Sequence, residues 1–226
     1  MEKINISIDG HSSSGKSSIA KALAEMLNYK YVNTGAMYRA VTYYCISKGM
    51  FDSKFDYKKL DDILDNIKIE YSYDFIKDSD LVIINSHDIS SKIRTIEVTD
   101  NVSFISKIKK VRDKLVAVQR IYAKDKGVVM EGRDIGTVVL EQAEVKFFIN
   151  TDLDIRAKRR LEQLKKMNIE IALEELKVKI SKRDKIDSER EISPIKVPKG
   201  AFVITNNLDD LDSIVLKAYN LVNKFI

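Results

Sequence analysis

The sequence predicts an α/β protein: a five-stranded parallel sheet with helices on both faces, interrupted by a small antiparallel β-containing insertion. Three observations carry that expectation. Five short apolar segments read as buried strands, helical patterns separate most of them, and the first strand runs into a glycine-framed loop that opens a helix. Strands alternating with helices imply right-handed crossovers, and ligands in such sheets gather beyond the carboxyl ends of the strands.

The first expected strand covers 4–9, where Ile4, Ile6 and Ile8 alternate. It leads into Gly10-His11-Ser12-Ser13-Ser14-Gly15-Lys16-Ser17, which fits the phosphate-binding P-loop G-x-x-x-x-G-K-[ST]. A helix over 17–27 follows, with Ile19, Leu23, Met26 and Leu27 at helical spacing. The two glycines permit backbone geometries that a Cβ would block. The loop N–H groups and the helix N-terminus then face phosphate oxygens. In this arrangement Lys16 reaches the β- and γ-phosphates and the Ser17 hydroxyl contacts Mg²⁺, with Ser18 closing the nucleotide-binding run. The bland alternative is a chance Gly/Ser-rich turn, which the flanking strand and helix argue against. His11 is given no catalytic role, because phosphoryl transfer does not require a histidine.

Further along, strands are expected at 29–33, 128–131, 145–149 and 202–205, and helices at 36–48, 109–123, 152–166 and 208–225. Asn33-Thr34-Gly35 follows the second strand and Gly132-Arg133-Asp134 the third, so three polar loops share one edge of the sheet. One stretch breaks the pattern. Ile67, Ile69, Tyr71 and Tyr73 alternate with polar residues, Lys77-Asp78-Ser79-Asp80 is a turn signal, and 81–85 is apolar again. This reads as an antiparallel hairpin within an insertion over 50–108, between core segments 1–49 and 109–226.

The 226 residues suffice for one good core, and 44% hydrophobic with 32% charged residues is the balance of a soluble globular chain. No apolar run approaches the length of a membrane span, and the immediate entry into a strand leaves no room for a leader. Cys45 is the single cysteine and is expected in the core of a cytoplasmic protein. The net charge of +5 suits anionic ligands or nucleic acid, but the basic residues are spread along the chain. Clusters such as Arg156-Ala157-Lys158-Arg159-Arg160 read as solvated helix faces.

Phosphoryl transfer needs in-line positioning and positive charge around the transferred group. Beyond Lys16 the chain offers Tyr38-Arg39 after the second strand, Arg133 after the third, and Arg183 and Arg190 flanking Asp187. Positions 183, 187 and 190 fall on one face if the stretch is helical, where they grip a phosphate and a ribose hydroxyl or form only an i,i+4 ion-pair ladder. No protein metal-ligand cluster and no Ser-His-Asp arrangement is visible. Magnesium is expected to arrive with the nucleotide, with Glu131 and Asp134 the nearest candidates for a second protein ligand.

With these segments in place the chain resembles the bacterial cytidylate kinases, a family of P-loop nucleoside monophosphate kinases. The resemblance rests on 10–17, on Asn33-Thr34-Gly35-Ala36-Met37-Tyr38-Arg39, on Ile93-Arg94-Thr95, on Gly132-Arg133-Asp134-Ile135-Gly136-Thr137-Val138-Val139, and on the stretch from Arg183-Asp184 to Arg190. It runs nearly end to end. It implies transfer from Mg-ATP to CMP or dCMP, giving ADP and CDP or dCDP, in pyrimidine nucleotide metabolism. It also implies that 50–108 is a CMP-side insertion and roughly 156–194 a helical lid. Carried over by residue, Thr34, Arg39, Arg133 and Arg190, with Tyr38 beside them, hold the CMP phosphate. Arg183 and Asp187 hold the ribose, and Ser103, Arg112 and Asp134 read the cytosine. Lys16, Arg133, Arg156, Arg160 and Arg190 serve the transferred group. The expected partners are small molecules, with no nucleic acid, no membrane and a monomeric chain.

Physical chemistry supports the Asp134 assignment, since a carboxylate accepts from the cytosine amine and repels the uracil O4. Two departures stand out: Asn33 where the family often has Asp, and His11 where it often has Pro. Two other readings compete: a P-loop kinase for AMP, UMP or a non-nucleotide acceptor, and a nucleic-acid-binding P-loop ATPase, which predicts salt-dependent oligonucleotide binding.

Overall fold

A computed structural model describes residues 2–52, 54–166, 168–207 and 210–226. Five strands form the parallel sheet: β1 (Asn5–Gly10), β2 (Lys30–Asn33), β6 (Val128–Gly132), β7 (Val145–Asn150) and β8 (Phe202–Thr205), in the order β2-β6-β1-β7-β8. Strand β1 is central, and its side chains alternate between the faces. Ile6 and Ile8 pack with Ile19 and Leu23 of α1 (Lys16–Leu27) and with Ile214 and Ala218 of α8 (Leu211–Val222). Between them Ser7 and Asp9 are wholly buried. The other core joins Val32, Val128 and Met130 to Met37 and Val41 of α2 (Thr34–Ser47) and to Val111 and Leu115 of α5 (Lys109–Ala123).

That second core continues into a small antiparallel sheet of β3 (Ile69–Asp74), β4 (Ser79–Ile84) and β5 (His87–Asp88), through Tyr71, Val82 and Ile84. Helices α3 (Tyr57–Asn66) and α4 (Ile96–Ile105) flank it in sequence. A third, smaller cluster of Ala157, Leu164, Leu176 and Ile180 joins α6 (Leu153–Lys166) to α7 (Leu173–Glu189).

The expected strands and the hairpin are present, with shifted ends. Helix α2 starts at Thr34 rather than at residue 36, because the Asn33 side chain accepts from the Ala36 amide at 3.2 Å and caps the helix. The last helix is described as Leu211–Val222, capped by Asp210, and Leu208, where it was expected to begin, lies outside the described residues. Asp80, read as part of a turn, belongs to β4 opposite Tyr73. It shares the buried face of that strand with Val82 and Ile84. Arg190 lies just past α7 with extended backbone (ψ 138°), so only Arg183 and Asp187 share the helix face expected for all three. No helix among the described residues is long and apolar enough to cross a membrane.

Phe147 is fully buried beside Ile8 in the register of β1 and β7. Phe147→Ala is expected to lower stability by about 3–5 kcal/mol, read as a fall in the urea midpoint at unchanged m.

Candidate active site

The P-loop joins β1 to α1, and Gly15 occupies the left-handed region (φ 87°) at the helix start, where a side chain is strained. The Lys16 ammonium lies 3.3 Å from the His11 carbonyl and 3.5 Å from Glu131. Glu131, at the end of β6, also accepts from the Ser17 hydroxyl at 2.8 Å and from Tyr31 at 3.3 Å. One buried carboxylate thus ties the two functional side chains of the loop together. Burial, then Arg133, pushes Lys16 down to about 8, against the opposing pull of Glu131.

Beyond the carboxyl edge of the sheet lies a cleft of about 650 Å³, lined by Lys16, Arg39, Arg94, Arg133, Arg160 and Arg183 among others. Burial, then the neighbouring Arg183, Arg160, Arg94 and Arg133, pushes Arg39 down to about 9. Arg183 falls to about 10 through burial and Arg133. Their charges are crowded and undercompensated, and the buried Arg183 Nε has no hydrogen-bond partner among the described residues. Such a site favours a multivalent anion.

The fold holds these cations by side chains from several elements. Arg39 donates to Thr99 of α4 at 2.8 Å. Arg94 pairs with Asp80, which also accepts from the Tyr71 hydroxyl at 2.8 Å and lies 3.4 Å from the Asn33 amide nitrogen. Arg133 donates to Asp187 at 3.2 Å. Arg112, which also lines the cleft and is almost wholly buried, pairs with Asp134, donates to the Ser106 carbonyl at 3.0 Å and lies over the Tyr38 ring at 5.4 Å. Arg190 sits 3.7 Å from Asp134 and 3.9 Å from Asp187. The Thr34 hydroxyl donates to the Glu131 carbonyl at 2.8 Å.

Most residues expected from the sequence therefore meet here: Ser12, Ser13, Gly15, Lys16, Ser17 and Ser18 from the loop, then Thr34, Tyr38, Arg39, Arg112, Arg133, Asp134, Arg160, Arg183, Asp187 and Arg190. Gly10, His11, Ser14, Ser103 and Arg156 do not line the cleft. Ser14 is fully buried, and its carbonyl accepts from Thr151 and Asn206 at 3.1 and 2.8 Å. His11 lies 3.3 Å from Asp184 of α7. Arg156 turns behind the loop, donating to the Thr151 carbonyl at 2.9 Å and to Asp184 at 2.6 Å. It is Val102 of α4 and Ser106, the residue that closes that helix, four positions apart on one face, that reach the cleft, and Ser103 falls off that face. Sequence reasoning missed Arg94, Asp80, Arg159 and Asn206. Arg94 stood in a segment already noted, and Asn206 follows a strand end, the position where ligand contacts are expected.

With burial pushing Lys16 down to about 8, its ammonium begins to lose its proton at mildly alkaline pH. A bound polyphosphate favours the charged form, so ATP binding at pH 8–9 is expected to take up a proton, and affinity to fall as pH rises through that range. Calorimetry in two buffers of different ionisation enthalpy measures the uptake; identical heats in both would show that Lys16 is already charged before ATP binds.

Comparison with known proteins adds an independent line. The Cytidylate kinase family pattern matches residues 6–224. A cytidylate kinase of Parabacteroides distasonis is 42% identical over 224 residues, covering 97% of this chain and 98% of that protein. One of Bacillus cytotoxicus is 41% identical over 99% of this chain and 97% of its own length. Among solved structures, a shikimate kinase from Bacteroides thetaiotaomicron superposes with a TM-score of 0.50 at 13% identity, covering 97% of this chain and 98% of that one, a likeness of fold alone. With the family pattern spanning almost the whole length, and relatives above 40% identity matching end to end, the chain belongs to the cytidylate kinase family.

Proposed function

We propose that the residues gathered in the cleft carry out the phosphoryl transfer of this family, from ATP to CMP or dCMP, with the following division of labour. The chain is a (d)CMP kinase, producing ADP and CDP or dCDP. The observation that carries the assignment of roles is that one cleft gathers Arg39, Arg133, Arg160 and Arg183 with Lys16 and also holds the buried Arg112–Asp134 pair.

The loop amides and Lys16 take the ATP phosphates. The Ser17 hydroxyl and Glu131 carboxylate are hard oxygen donors already in contact, and they suit Mg²⁺. When bound with ATP, that ion neutralises charge on the β- and γ-oxygens. Thr34, Tyr38, Arg39, Arg133 and Arg190 hold the CMP phosphate, Arg183 and Asp187 the ribose, and Arg112 with Asp134 the base. Ser106 stands nearer the base than Ser103 in this arrangement. Arg160 and Arg159 reach the cleft from α6 and face the transferred group, while Arg156 supports the loop backbone by donating to the Ser12 carbonyl at 3.4 Å. An oxygen of the CMP phosphate attacks the γ-phosphorus, the bond to the β,γ-bridging oxygen breaks, and ADP leaves. Positioning and fixed charge lower the barrier, with no strong base required.

In this reading residues 50–108 form the CMP-side insertion and 156–194 the lid on a core of 1–49 and 109–226. The protein works as a cytoplasmic monomer on small molecules and not on nucleic acid. The small-molecule reading is supported by the arginines that line a concave cleft, a shape that suits a compact anion better than an extended polymer.

Lys16→Ala is expected to abolish turnover while the circular dichroism and melting curve stay those of the folded chain; near-normal activity sinks the P-loop assignment. Asp134→Asn is expected to lower the CMP/UMP ratio of kcat/KM at least about tenfold, the size of one lost base contact. An unchanged ratio removes Asp134 from base recognition. A coupled ADP-release assay across CMP, dCMP, UMP and AMP separates both from the competing acceptors.

A further inference from the structure

Asp9 takes no part in the roles above, yet it is a wholly buried carboxylate beside the active loop. It is the last side chain of β1 before Gly10, in register with Gly132 of β6 and Phe148 of β7. One of its oxygens accepts from the Ile135 amide at 2.7 Å and the other from the Gly136 amide at 2.8 Å. Those amides open a single π-helical turn, Ile135–Val139, that follows directly on Arg133 and Asp134.

The opening N–H groups of a helical turn lack partners within it, and the preceding side chain often supplies one. Asp134 is that preceding residue, and its side chain makes no capping bond. Its carboxylate faces Arg112 and Arg190 in the cleft instead. Asp9 supplies the cap from a different strand. The close fit needs glycine at 136, where a Cβ would come within 2.8 Å of both the Ser7 hydroxyl and the Pro198 ring. Burial pushes the Asp9 carboxyl up to about 7, against the pull of the two amides, so the fold keeps this group in place at a cost in solvation.

We propose that Asp9 is a positioning residue for the acceptor nucleotide. By capping the turn in place of Asp134, it leaves the Asp134 carboxylate free to face the cleft and fixes the direction of the Arg133–Asp134 segment, without touching substrate. The inference rests on the reading in which that segment binds CMP.

Asp9→Asn tests it in the full-length enzyme. The size is kept, but one amide then meets an NH₂ group in place of an acceptor. The expected result is a KM for CMP raised tenfold or more, with KM for ATP within twofold of wild type. An unchanged KM for CMP overturns the proposal. So does an equal rise in both KM values with a lowered Tm, the mark of mere support for the sheet. Asp134→Asn assayed alongside separates the two ideas. If that variant keeps its CMP/UMP ratio while Asp9→Asn still raises KM for CMP, base reading by Asp134 fails and the positioning role stands through Arg133. Hydrogen exchange on the wild-type protein covers the case in which the variant does not fold. Slow exchange at the Ile135 and Gly136 amides before CMP is added supports the cap, and free exchange at both overturns it.

Discussion

Like charges forced together in a small concave space set the terms for the rest of this molecule. Two unit charges about 5 Å apart repel by roughly 3 kcal/mol at an effective dielectric of 20, and the cleft sets several cations close enough to push one another's pKa down. No single helix or strand could hold such a set. Arg39 comes from α2, Arg133 from just after β6, Arg160 from α6 and Arg183 from α7; α2 and β6 are anchored in one apolar core, and α6 and α7 in the smaller cluster they share. The repulsion is the source of the site's chemistry. It is relieved when a triphosphate and a monophosphate enter, and relieved most where negative charge is shared between them during transfer.

The carboxylates do the complementary work. Glu131, Asp134, Asp187 and Asp80 each sit almost out of solvent beside one or more cations. They orient the arginines without cancelling them, since each also serves a second partner: Glu131 the Ser17 hydroxyl, Asp187 two arginines, Asp80 the Tyr71 hydroxyl. A guanidinium held in one direction by such a partner loses little further freedom when substrate arrives.

The strand segments, the P-loop and the positions of Arg39, Arg133 and Arg183 were legible because local pattern decides them, whereas the order of the strands in the sheet was not. Buried strands are short apolar runs, and the loop motif carries its own backbone requirements. What was not legible depends on direction across space. Arg156 and Arg159 are three residues apart on one helix, and spacing alone does not say that the first grips Asp184 behind the loop while the second faces the cleft. Ser103 and Ser106 are separated in the same way by the phase of α4. Asp9 looked like one polar residue in a strand, and its partners lie 126 and 127 residues away. Asp80 was masked by a turn-like composition around it, although its alternation with Val82 and Ile84 placed it on the inner face of β4.

Asn33 gains meaning from the same geometry. Its oxygen caps α2 through the Ala36 amide, while its nitrogen faces the Asp80 carboxylate. An aspartate there could cap the helix equally well but would set two negative groups against each other. The neutral amide lets the small antiparallel sheet rest against the edge of β2. The orientational freedom of that sheet is therefore reduced in the folded chain before any nucleotide is met. Encounter with substrate then begins from a half-assembled wall, so less disorder remains to be lost in the collision itself.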